Sequence, residues 1–132
     1  MENLHKPATA NQPQVDFLVK ESLLTISGSS IMEEAKAYYT DLINWVKDFT
    51  QVISKETTVE IALSELNQLS LKMLLFFCQE VKALEMSGNI VNVNWSYPED
   101  NLALKEAGQD LSYLADLEFN FKAVKLVEEE LA

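Results

Sequence analysis

The stretch TTVEIALSELNQLSLKMLLFFCQEVKALEM, residues 57–86, decides the fold of this chain. Residues 57–63 alternate polar with apolar side chains, which predicts a half-buried strand. The short polar turn Asn67-Gln68-Leu69-Ser70 then leads into the most apolar segment of the sequence, which predicts a helix over 70–87. A strand that passes directly into a helix is the building unit of an α/β protein.

The flanking sequence continues this pattern on both sides. Ser30 followed by Glu33 resembles a capping box and predicts the start of an amphipathic helix. Because nearly every predicted strand alternates apolar with polar residues, one face of the sheet is expected to be wet. The sequence therefore predicts a small mixed α/β sheet, in the order ββαβαβαβ, with its helices mainly on one face. The remaining predicted elements are strands 15–19 and 23–27 as a hairpin, helix 33–53, strand 90–95, a helix from 98 to about 114, and strand 117–121.

The two ends of the chain carry weaker signals. Residues 1–14 are polar and contain two prolines, and we expect them to be extended or loosely ordered. The tail 122–132 places Val124, Val127 and Leu131 on one helical side, so it is predicted to be a terminal helix, a docking segment or a frayed end. Residues 1–132 are the right length for a single domain.

Charge and cysteine content exclude several classes of function. The net charge of −11 disfavours binding to nucleic acid or to an anionic membrane surface. The single cysteine, Cys78, cannot form an internal disulfide and lies in an apolar helix, as a small hydrophobic residue would. Without a signal-peptide pattern or a membrane-length apolar run, the chain is expected to be cytoplasmic.

The sequence is poor in catalytic residues, and no cofactor is expected. The one histidine, His5, lies far from Cys78, which argues against a nucleophile–base pair and against a zinc site. The three glycines lie singly, so no phosphate-binding loop is present. One alternative remains, a metal-binding protein or small enzyme that uses clustered carboxylates to hold Mg²⁺. Those carboxylates are Glu99, Asp100, Glu106, Asp110 and Asp116.

The helix 70–87 offers a candidate surface for a protein partner. At about 100° per residue, Leu69, Met73 and Phe76 form an apolar ridge beside Ser70, with Lys72 on the outer side. An exposed ridge is a candidate binding surface, whereas a neighbouring helix or a second copy could equally cover it. A purely structural homodimer built on Phe76 is therefore a further alternative. The opposite, core-facing stripe is predicted to be Leu71, Leu74, Phe77, Cys78 and Val81.

Ser70 itself has two interpretations. The start of a helix stabilises negative charge, so a phosphoryl group on this hydroxyl would be favoured there. Serine is also a common N-cap, a role that Asn67 can fill as well.

Motifs spread along the chain resemble the SiaC family of bacterial regulatory phosphoproteins, which is akin to the STAS domains of anti-sigma-factor antagonists. The resemblance implies a STAS-like fold without enzymatic activity, and reversible phosphorylation by a partner-switching kinase and a PP2C-type phosphatase. It further implies that the unphosphorylated form activates a diguanylate cyclase, which raises cyclic di-GMP and promotes biofilm formation. The matching motifs are Leu4-His5-x-Pro7, Ile43-x-Trp45-Val46, Leu66-Asn67, Val93-x-Trp95-x-Tyr97 and Glu106-Ala107-Gly108-x-Asp110.

One departure from the family pattern concerns the phosphoacceptor. The family turn reads Asn-Thr-Ser-Ser with the threonine as acceptor, whereas Gln68 and Leu69 replace its middle pair here. Either Ser70 is the acceptor, or the protein binds its partner constitutively. Because Gln is neutral, it resembles the unphosphorylated state more than a phosphate of charge about −1.5 to −2. Phe76 also stands where a polar or acidic residue is expected in the family. The predicted partner-binding residues are Asn67, Gln68, Leu69, Lys72, Met73 and Phe76, on a monomer or a homodimer.

Overall fold

The structure, a computed structural model, describes residues 1–52 and 56–125, and within these ranges the chain forms six strands and three helices. Their order differs from the predicted one by a single additional strand at the start. The elements are β1 (Leu4–Lys6), β2 (Gln14–Leu18), β3 (Leu23–Ser30), α1 (Ala35–Phe49), β4 (Glu56–Leu66), α2 (Gln68–Met86), β5 (Ile90–Pro98), α3 (Leu102–Ala115) and β6 (Phe119–Val124).

The strands form one mixed sheet in which spatial order follows chain order, from β1 to β6. The pairs β1–β2 and β2–β3 are antiparallel, and β3 to β6 run parallel to one another. Each parallel pair is joined by one of the three helices. Because such crossovers are almost always right-handed, steps taken in one direction place every helix on the same face of the sheet.

The alternation seen in the sequence matches this one-sided arrangement. Residues of β2 to β5 that face the helices are fully or almost fully buried, and Trp95 of β5 is the largest of them. The other face is polar: Asn94 Nδ2 donates to Glu60 Oε1 at 2.9 Å, and Asn120 Nδ2 donates to Asn94 Oδ1 at 3.1 Å. The mixed sheet with helices on one face is confirmed. The buried strand residues are Val15, Phe17, Leu24, Ile26, Val59, Ile61, Leu63, Val93 and Trp95.

One prediction in the first part of the chain is partly right and another is wrong. The segment 1–14, predicted to be extended or loosely ordered, contains the extended strand β1, which pairs with β2. The capping box at Ser30 does not form, because Ser30 ends β3 and its buried hydroxyl is hydrogen-bonded to Tyr39 at 2.7 Å. The first helix instead begins at Ala35, and Glu34 precedes it without a side-chain cap.

The last strand, predicted over 117–121, begins and ends later in the chain, at Phe119–Val124. Residues 122–124, assigned above to the tail, belong to β6, and the remainder of the predicted terminal helix, 126–132, lies outside the described residues. No helix within residues 1–52 and 56–125 combines the length and apolarity that crossing a membrane requires.

Candidate functional site

The turn that joins β4 to α2 is held by Asn67. Asn67 Oδ1 accepts a hydrogen bond from Ser70 N at 2.9 Å, which caps the helix. Its Nδ2 donates to Met32 O at 3.0 Å, and its backbone N donates to Ser30 O at 3.0 Å. One asparagine therefore fixes the start of α2 to the end of β3 and to the loop that follows it.

Ser70 lies beneath this turn and has no exposed surface. Its Oγ atom is buried and makes no hydrogen bond with any part of the chain that the structure describes. The capping role belongs to Asn67, since only the backbone N–H of Ser70 takes part in the cap. For a kinase to reach the Ser70 hydroxyl, the first turn of α2 would have to open.

The predicted ridge on α2 is divided by burial. Leu69 is 40% exposed and Phe76 is 41% exposed, but Met73 between them is only 6% exposed and belongs to the core. Of the two alternatives left open for the ridge, cover by a neighbouring helix applies at Met73, because α1 packs along this side of α2. Two separate apolar side chains remain at the surface, one turn above and one turn below the buried methionine.

Leu69 and Phe76 border a groove between α1 and α2, which we call the α1–α2 groove, with a volume of about 550 Å³. Lys36, Lys47 and Lys72 also line it, in a chain with only ten basic residues against 21 acidic ones. The remaining lining residues are Thr40, Ile43, Asn44, Met73, Gln79 and Glu80.

Charge in the α1–α2 groove is largely unneutralised. Lys47 Nζ lies 3.7 Å from Glu80 Oε1, and both side chains are partly exposed. Lys36 and Lys72 are exposed and form no ion pair with the described residues. The groove therefore combines apolar side chains with excess positive charge on a strongly acidic protein.

The α1 side of this groove could have been found from the sequence. Its residues are spaced four, three, one and three positions apart, which places them on one helical face. The prediction considered only the apolar, core-facing residues of this helix, so Lys36 and Lys47 were missed. The residues concerned are Lys36, Thr40, Ile43, Asn44 and Lys47.

Gln68 faces away from the α1–α2 groove. With Asn67, it lines a different groove of about 370 Å³ between the starts of α2 and α3, where Asn101 caps α3 by accepting from Leu104 N at 3.1 Å. Asn67 and Gln68 therefore lie on one side of α2, and Leu69, Met73 and Phe76 on the other. Lys72 is exposed.

The core-facing stripe of α2 matches the prediction at Leu74, Phe77, Cys78 and Val81, which are buried, whereas Leu71 is only partly buried. Burial raises the pKa of the Cys78 thiol to about 12. A thiol with that pKa is almost entirely protonated at neutral pH and is a poor nucleophile.

The carboxylates considered for metal binding are all exposed, on α3 or on the loops at its two ends. Within residues 1–52 and 56–125, no three or more His, Cys, Asp or Glu side chains are grouped so as to hold a metal ion. His5 instead contacts Asp16 across the β1–β2 pair. Hydrogen bonds from Gln14 and then His5 lower the pKa of Asp16.

Comparison with known proteins identifies a family of regulatory proteins. Residues 6–124 match the family described as SiaC family regulatory phosphoprotein. An uncharacterized protein of Pseudomonas aeruginosa (strain UCBPP-PA14) is 23% identical over 121 residues, covering 92% of this chain and 94% of that protein.

Solved structures share the fold. Apo-SiaC from Pseudomonas aeruginosa superposes with a TM-score of 0.85 at 23% identity, covering 93% of this chain and 100% of that one. A chain in the crystal structure of the diguanylate cyclase SiaD in complex with its activator SiaC, also from Pseudomonas aeruginosa, superposes with a TM-score of 0.83 at 21% identity. That match covers 92% of this chain and 99% of the other.

Proposed function

This chain belongs to the SiaC family of regulatory phosphoproteins, and from that premise we propose that it is a non-enzymatic regulator that binds and controls a diguanylate cyclase. The α1–α2 groove is the proposed docking surface. The observation that carries the proposal is the exposure of Leu69 and Phe76 beside the lysines of this groove. The proposed setting is the cytoplasm, where the complex would control cyclic di-GMP and biofilm formation.

The groove fits a partner segment of defined chemistry. An apolar side chain of the partner would pack against Phe76 and Leu69, as amphipathic helices do in hydrophobic grooves. Carboxylates at the rim of that segment would face Lys36 and Lys72, which have no ion-pair partner within the described residues. Such rim charges mainly increase the rate of association and fix the orientation of the partner.

Burial of Ser70 favours constitutive binding over a relocated phosphoacceptor. A phosphoryl group there would carry a charge of about −1.5 to −2 into a site without exposed surface. Gln68 is exposed but has no hydroxyl. We therefore propose that the protein stays in its binding-competent state. A kinase and a PP2C-type phosphatase, if they act on this chain, would act elsewhere than at residue 68.

The decisive test is Phe76→Asp. We expect this variant to keep the circular dichroism spectrum and urea midpoint of the wild type, because Phe76 is 41% exposed. Its affinity for the diguanylate cyclase encoded in the same genome should fall about 30-fold or more, as for a central interface residue. Titration calorimetry measures the affinity, and cyclic di-GMP production by the cyclase provides the functional readout.

Ala83→Asp is the matched control, because Ala83 is an exposed residue of α2 outside the groove. It should bind as the wild type does. If the folded Phe76→Asp variant binds the cyclase with the affinity of the wild type, the proposed docking surface is wrong. If the wild type does not bind the cyclase, the proposed partner is wrong.

A further inference from the structure

Among the described residues, the outer edge of β6 is unpaired. This strand pairs with β5 on one side, and no strand within residues 1–52 and 56–125 pairs with it on the other. Asn120, Phe121, Lys122 and Ala123 are all exposed. An exposed strand edge presents a row of unpaired N–H and C=O groups that can pair with another chain.

The direction of these backbone groups follows from one hydrogen bond. Val124 O accepts a hydrogen bond from Glu99 N at 2.9 Å, so the N–H and C=O groups of Val124 point toward β5. Successive residues of a strand point these groups to opposite sides, so the N–H and C=O groups of Asn120 and Lys122 also point toward β5. The N–H and C=O groups of Phe119, Phe121 and Ala123 are directed outward.

The sequence of this edge is complementary to itself. In an antiparallel pair centred on Asn120, Phe119 of one copy lies opposite Phe121 of the other and exchanges two backbone hydrogen bonds with it. In the same register, Glu118 lies opposite Lys122 in a non-hydrogen-bonded position, where side chains approach more closely. Both are exposed and form no ion pair with the described residues, so two new ion pairs would form.

We propose that the β6 edge binds a second copy of this chain in this register, which joins two sheets into one. The side chains support the pairing on both faces. Phe121, which is 39% exposed and has its ring 6.0 Å from that of Phe119, would be covered by Phe119 of the second copy. Asn120, which already bonds Asn94, would face its own equivalent on the open face.

The contact is small, about five residues from each copy. Interfaces well below about 1,200 Å² are usually weak and transient. The dimer should therefore depend on concentration, and we expect it in sedimentation velocity between about 10 and about 500 µM protein. A wild type that stays monomeric throughout this range would overturn the proposal.

Charge reversal tests the register. Lys122→Glu places two glutamates opposite each other at each end of the contact, and Glu118→Lys places two lysines there. Each variant alone should be monomeric, whereas an equimolar mixture should form a heterodimer, because every pair is then again of opposite charge. Dimers that persist in both separate variants would show a different interface and overturn the proposal.

A disulfide offers a second and independent test. Two Asn120→Cys copies would place their Cα atoms about 4.5 Å apart, which a disulfide can bridge. Ala123→Cys, at an exposed residue that takes no part in the ion pairs, is the control, since its two copies would be about 20 Å apart along the strands. Buried Cys78 does not compete for oxidation. Equal cross-linking of the two variants on non-reducing gels would contradict pairing centred on Asn120.

Discussion

Gly108 of α3 lies against the indole ring of Trp95 in β5, so closely that a Cβ atom at Gly108 would stand 2.6 Å from Trp95 Nε1. The same Nε1 donates a hydrogen bond to Leu104 O at 3.0 Å. The absence of a side chain at Gly108 thus allows the helix to approach the ring and allows the ring to bond the helix backbone. This contact fixes α3 over β5.

We expect Gly108→Ala to lower the free energy of unfolding by about 1–3 kcal/mol, the usual cost of overpacking. The helix propensity of alanine, which favours it over glycine by about 1 kcal/mol, opposes this loss only in part. Urea unfolding followed by Trp fluorescence measures the change. Gln109→Ala, at the next and exposed position, is the control and should change stability by less than about 0.5 kcal/mol. A stabilised Gly108→Ala variant would contradict the packing described for Trp95.

A second prediction compares the two helix caps. Asn101→Ala should lower the free energy of unfolding by about 1 kcal/mol, because it removes the cap of α3. Asn67→Ala should cost about 1 kcal/mol more, since it also removes the hydrogen bond to Met32 O. Paired urea titrations test this order, and equal losses of stability in the two variants would show that the contact with Met32 contributes nothing.

A third prediction concerns the buried hydroxyl of Ser70. Ser70→Ala should raise the free energy of unfolding by about 1 kcal/mol, because it removes a buried polar atom without a partner among the described residues. Ser112→Ala in α3 should have the opposite sign, since the Ser112 hydroxyl donates to Leu117 O. Ser70→Glu should cost about 3 kcal/mol or more, as for an unpaired buried charge. Thermal and urea unfolding of the three variants gives the comparison. A Ser70→Glu variant as stable as the wild type would contradict the prediction and would favour Ser70 as the phosphoacceptor.

The last prediction concerns alkaline pH and Tyr39. Burial raises the pKa of Tyr39 above that of a free phenol, despite its bond to Ser30. A group whose pKa is higher in the folded state contributes stability that is complete below its unfolded pKa, about 10, and is lost as pH rises through its folded pKa. The free energy of unfolding should therefore fall above pH 10.

Tyr39→Phe separates the two roles of this phenol. It should cost about 1 kcal/mol at pH 8, because the buried Ser30 hydroxyl loses its partner. The same variant should show a weaker loss of stability between pH 8 and pH 11 than the wild type. Tyr113→Phe, at a residue that is 85% exposed, should cost nothing at pH 8. An unchanged pH dependence in Tyr39→Phe would assign the alkaline loss to another group.

Local patterns predicted the elements well where one partner layer defines the buried side. Strand β4 buries Val59, Ile61 and Leu63, and strand β5 buries Val93 and Trp95, as alternation indicated, because the helices cover only one face of the sheet. Helix α2 was harder to predict, since it packs against both α1 and α3 as well as the sheet. Its buried arc is therefore wider than one stripe and includes Met73 and Ser70, which a helical projection alone places at the border.

The error at Ser30 has a similar cause. The spacing of Ser30 and Glu33 is that of a capping box, but the hydroxyl of Ser30 bonds Tyr39, a partner nine residues away. Local spacing contains no information about that tertiary contact. Lys36 and Lys47 were missed because they join Lys72 in one cluster only when α1 and α2 lie side by side.

The agreement between chain order and sheet order has a consequence for biosynthesis. When a strand leaves the ribosome, the neighbouring strand with which it pairs has already been synthesised, because it precedes it in the chain. Nascent β4, β5 and β6 can therefore dock one after another, each closing its own helix onto the growing layer, without waiting for a later segment. The protein can thus assemble in the direction of its own translation.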